Sequence, residues 1–135
     1  MSTNVPRGVE PVSVGRGLAA GVVAGVVAAV AGVLVHLVVT ASTGRSYEQL
    51  SVVSIPAVTI VASLIGGLVF VALTRRAHGP AVVFAVLAAL GAVVDTAAAI
   101  AARQGWGFVL EAGVLHVVVA TVVAVVLPWF ALRRG

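Results

Sequence analysis

Neither cysteine nor lysine occurs in this chain, and only 9% of its 135 residues are charged. Without cysteine there is no disulfide, no thiolate metal site and no cysteine nucleophile. A soluble domain carries about 25% charged residues, so a water-facing surface is excluded for most of this sequence. Enzymatic signatures are missing too: there is no nucleophile–base motif, no glycine-rich phosphate loop and no zinc-binding helix motif. These absences predict a protein that is not an enzyme.

What is present is apolar. Hydrophobic residues make up 61% of the chain, and the mean hydropathy is +1.23. A spanning helix takes roughly 20 apolar residues, so the length holds about four spans and no soluble domain beside them. The net charge is +4, and every positive charge behind it is an arginine. These flank the apolar runs instead of forming one basic face, which argues against nucleic-acid binding.

The pattern predicts an all-α, four-helix transmembrane bundle with spans at 17–40, 51–74, 81–102 and 108–132. A flexible or docked tail over 1–16 precedes them, carrying Pro6, Pro11, Arg7, Glu10 and Arg16. Connections this short force antiparallel, up-down neighbours. Arg7, Arg16, Arg75, Arg76, Arg133 and Arg134 fall at one end of the spans, and only Arg45 and Arg103 at the other. The positive-inside rule then places both termini in the cytoplasm of a cell with a plasma membrane to cross. Trp106 and Trp129 suit the two interfaces. The first span is too long for the apolar region of a signal peptide and reads as a retained helix. Arg75, Arg76, Arg133 and Arg134 are positioned for lipid headgroups, with His78 beside the first two.

Lipid gives helices no hydrophobic reason to associate, so close approach at small residues does much of that work. Gly17, Gly21, Gly25 and Gly32 form such a stripe on span one, leading to His36. Gly66 and Gly67 join Pro56, Thr59 and Ser63 on span two. Gly91 accompanies Ala88, Ala92, Ala99 and Ala102 around Asp95, and Gly113 accompanies Ala112, Ala120 and Ala124 around His116. Each polar residue is thus predicted to face the bundle interior. Pro128 leaves the Ala124 carbonyl without its helical donor near the end of span four.

A carboxylate inside a hydrocarbon span costs about 2.5–3.5 kcal/mol on insertion scales, so Asp95 requires a partner or a task. Counting about 1.5 Å per residue from the ends of the spans, Asp95 and His116 sit roughly 10 and 12 Å deep, with Thr59 at a similar level and His36 roughly 6 Å deep. The hairpin around Gly105 brings Asp95 opposite His116, and a direct contact between them is predicted. Glu111 lies about 140° round the helix from His116 and is expected to reach water by snorkelling.

Three functions follow from this polar layer. The first is a non-enzymatic accessory or partner-binding bundle, as a homo-oligomer or a subunit of a larger membrane complex, held by a buried Asp95–His116 clamp. Interhelical hydrogen bonds of that kind contribute about 0.6 kcal/mol on average. The second is a small proton-coupled transporter or channel using Asp95 and His116, because buried acids and histidines in spans mark such paths. The third is b-type haem or metal ligation by His36 and His116. No cofactor is required by the first two.

Across Gly17 to the C-terminus the layout resembles a family of small four-transmembrane-helix proteins of unknown function common in actinobacteria. The likeness rests on Gly66-Gly67 running into Arg75-Arg76, on Asp95 in span three, and on Leu115-His116 in span four. It implies a bacterial plasma-membrane protein and carries no activity with it. Four-helix drug exporters, by contrast, would place their membrane carboxylate in span one, and the glycine-rich signature of small fluoride channels is missing.

Overall fold

The computed structural model describes residues 10–133, so Arg7 and Arg134 lie outside the described residues. The chain forms four helices: α1 over Val14–Thr43, α2 over Ser54–Arg76, α3 over Pro80–Ala101 and α4 over Trp106–Leu132. Each is long and apolar enough to cross a membrane.

Local chemistry sets the helix ends. Ser13 caps α1 by accepting from the Arg16 amide at 3.3 Å, so the helix starts ahead of Gly17 and runs past Thr40 to Thr43. Gly44, with φ of 66°, then ends it in the left-handed conformation that favours glycine. Pro80 opens α3 at a position where a missing amide costs nothing. Arg103, at φ 55°, turns the chain between α3 and α4. Pro128 is accommodated inside α4, which continues to Leu132.

Helix α1 packs along α2 on one side and along α4 on the other, while α3 leans on α4 and barely touches α2. The α1–α2 seam is built on glycine. A Cβ on Gly21 would stand 2.6 Å from the Ser63 carbonyl oxygen, and one on Gly25 would stand 3.1 Å from the Ile60 Cα. A Cβ on Gly17 would meet Val71 and the Gly67 carbonyl oxygen, and one on Gly67 would meet Gly17. At the far end Gly32 faces Ile55. The two helices therefore run in opposite senses and touch through backbone, where dispersion and weak Cα–H contacts replace the hydrophobic effect.

The segment before α1 is docked at its inner end. Val12 is buried, and its amide donates to Thr74 Oγ1 at 3.1 Å. Around it lies the main apolar core, with Phe70, Phe84 and Leu127 at its centre. Phe70 and Phe84 meet edge-to-face with centroids 5.5 Å apart, tying α3 to α2 near their connection. Farther along, the two helices are separated by a cleft.

Candidate functional site

Two acid–histidine pairs are anchored on α4, and they face different neighbours. Glu111 points to α1, where its Oε1 lies 2.7 Å from His36 Nδ1. The side chains are 2% and 8% exposed, so this is a buried contact. His116 points to α3, where its Nε2 lies 4.0 Å from Asp95 Oδ2. Those side chains are 34% and 65% exposed.

The expectation that Glu111 snorkels to water is overturned. The angle between Glu111 and His116 is real, but α4 has neighbours on two sides. A residue about 140° from His116 leaves the α3 side and arrives at the α1 side. His36 is correspondingly paired with Glu111 and not part of a layer above Asp95. A carboxylate buried on its own would carry a desolvation cost of several kcal/mol, and His36 is the group that offsets it.

The Asp95–His116 clamp is corrected as well. The hairpin brings the two residues together, yet 4.0 Å is beyond hydrogen-bond reach. The closer neighbour of His116 is Thr96, whose Oγ1 lies 3.4 Å from its Nδ1 while donating to the Ala92 carbonyl at 2.8 Å. Asp95 is not inside the bundle. Its face of α3 is open enough that a Cβ on Gly91 would meet nothing within 4 Å. Gly113, in contrast, faces Thr96, and Gly66 lies under the Phe84 ring. Thr59 is buried in the row Ile55, Thr59, Ser63, Gly67 along α2 and makes no hydrogen bond to Asp95.

Both carboxylates border a cavity. Asp95 and His116 lie in a cleft of about 380 Å³ walled by α2, α3 and α4, whose other lining is apolar or small apart from Ser63. Glu111 borders a smaller cavity of about 210 Å³ at the other end of the polar zone, together with Thr43, Arg45 and Tyr47. Tyr47 stacks edge-to-face on Phe108 at 5.4 Å. Its hydroxyl and the Arg45 guanidinium pass so close to Gly107 that a side chain there would collide with both. The loop after α1 thus lines the cavity that Glu111 borders.

Each histidine is brought to its own carboxylate, on separate sides of α4, which is not the shared arrangement a two-histidine haem site requires. Among the described residues no group of three or more His, Cys, Asp or Glu is placed to hold a metal ion. At the ends of the helices, Arg16, Arg75, Arg76 and Arg133 fall at one side of the bundle and Arg45 and Arg103 at the other. Arg133 lies over the Trp129 ring, 4.1 Å from its centroid. The Glu111 role could have been found from sequence only by giving α4 two contact faces.

Comparison with protein-family models, with curated proteins and with solved structures finds no match for this chain.

Proposed function

We propose that this is a non-enzymatic, partner-binding protein of a bacterial plasma membrane, with both termini cytoplasmic, whose docking face is the Asp95 side of α3. The likeness to the actinobacterial four-helix family belongs to the same proposal. The arginines at the α1 start and the α2 and α4 ends support the orientation.

One observation carries the reading. Asp95 sits within an apolar helix and 65% of its side chain is uncovered. Lipid offers a carboxylate no hydrogen bond, so an intramembrane acid faces protein or water. The cleft beside it has apolar walls apart from Asp95, His116 and Ser63. Such walls suit a packed helix better than a hydrated ion path. Small residues such as Gly66, Gly91 and Ala92 in that lining let another backbone approach closely.

The test is a photocrosslinking amino acid placed at Gly91 in living cells, with Val61 on exposed α2 as the control. Protein adducts from position 91 but not from position 61 support docking. Only lipid adducts at both positions would sink it.

A second reading, proton exchange, moves from Asp95 to Glu111, because Glu111 borders the cavity lined by Arg45 and Tyr47. It requires proton flux in proteoliposomes that Glu111→Gln removes from folded protein. Flux indistinguishable from empty vesicles rejects it.

A further inference from the structure

We propose that the occupant of the α3 face is a second copy of this chain, the two copies related by a two-fold axis along the membrane normal. This rests on the reading of that face as a docking surface and names its partner.

Shape comes first. Helix α3 is held by α4 behind it and by Phe84 at one end, and projects otherwise as a ridge with Val86, Leu90 and Val94 exposed. On one side of the ridge lies the cleft that holds Asp95 and His116. A ridge flanked by a cleft is complementary to itself: under a two-fold operation each ridge enters the other copy's cleft. Gly91, with nothing within 4 Å of the place a Cβ would take, is where the two α3 backbones come closest.

Charge selects the same partner. The face carries an acid and a base together, Asp95 and His116, 4.0 Å apart and both incompletely covered. Copies inserted in the same orientation share a normal axis, so equivalent residues meet at equal depth. The pair of copies therefore assembles two carboxylates and two imidazoles in one layer. Two carboxylates alone would repel; each arrives with its own histidine 4.0 Å away. A foreign span would have to carry a base at that depth, whereas a second copy brings one by symmetry. Thr96 holds the His116 ring from behind, which leaves Nε2 directed to the Asp95 side.

The chain has no cysteine, so single introduced cysteines report contact without background. Full-length Leu87→Cys and Gly91→Cys variants, co-expressed with two different tags, are oxidised in native membranes. The expected result is a disulfide-linked dimer carrying both tags from each position. Ala89→Cys and Ala97→Cys, which line the opposite groove between α3 and α4, serve as controls expected to stay monomeric. Energy transfer between two separately labelled populations of otherwise unaltered protein in proteoliposomes supplies a readout free of any change in the cleft. It should fall on dilution with lipid. Cross-links from 89 or 97 in place of 87 and 91, or none together with no energy transfer, overturn the second-copy proposal. If the photocrosslinker at 91 captures protein but never this chain, the docking reading survives and the second copy does not.

Discussion

Nδ1 of His36 and Oε1 of Glu111 lie 2.7 Å apart with both side chains buried between α1 and α4. This is the interhelical clamp of the molecule, and α1–α4 packing depends on it in a way that can be measured. Removing one partner of a buried pair leaves the other uncompensated, at a cost of about 3–5 kcal/mol, whereas replacing both with apolar residues is often neutral. His36→Leu and Glu111→Leu should each destabilise the protein, and the double variant should recover most of the loss. A double-mutant cycle by reversible unfolding in mixed micelles reads this coupling. Additive losses would show that the two residues act independently. Glu111→Gln, which keeps a hydrogen-bonding group, should lose less than Glu111→Leu.

The α1–α2 seam yields a paired prediction about glycine. A Cβ on Gly67 would collide with the Gly17 carbonyl, while one on Gly15 would meet nothing within 4 Å. Gly67→Ala should therefore force the helices apart and lower the melting temperature in detergent. Gly15→Ala should leave it unchanged or raise it, because alanine is better than glycine within a helix by up to about 1 kcal/mol. Equal effects at both sites would contradict the close approach.

Among the described residues, the docked segment before α1 has one polar tether to another helix. The Val12 amide donates to Thr74 Oγ1 at 3.1 Å, and that hydroxyl also donates to the Val71 carbonyl at 2.8 Å. Thr74→Val keeps the shape and removes the acceptor. Amide hydrogen exchange at Val12 should accelerate at least tenfold, while exchange in the middle of α2 stays unchanged. Unaltered protection at Val12 would mean that burial of its side chain alone holds the segment.

The four helices were legible because apolar runs longer than a bilayer is thick admit few alternatives. Their order and the small-residue stripe of α1 were legible for the same kind of reason: Gly17, Gly21, Gly25 and Gly32 recur at helical spacing, and all four meet α2. What sequence spacing does not encode is how many neighbours a helix has. Its angle from His116 takes Glu111 off the α3 face, but α4 also packs on α1 and buries it there. Asp95 is the converse case. Its glycine and alanine neighbours match those of the α1 stripe, yet α2 lies too far from that part of α3 to cover them. In a membrane both lipid-facing and protein-facing positions can be small and apolar, so composition does not separate the two.

Asp95 and Glu111 provide the decisive contrast between carboxylates. Both stand within apolar helices, but the Glu111 side chain is 2% exposed against a histidine, whereas 65% of the Asp95 side chain is uncovered and it makes no hydrogen bond among the described residues. Within one copy of the chain Asp95→Leu removes only the approach to His116 at 4.0 Å, beyond hydrogen-bond reach, and it relieves the cost of about 2.5–3.5 kcal/mol that a mid-span acid imposes on insertion. The isolated protein should keep its melting temperature within about 2 °C, since a surface substitution away from packing shifts stability by less than about 0.5 kcal/mol. Glu111→Leu should lower it clearly under the same conditions. Circular dichroism melts in one detergent compare the two directly. If Asp95→Leu unfolds the protein as Glu111→Leu does, Asp95 is part of the fold after all and the exposed face of α3 loses its claim to a partner.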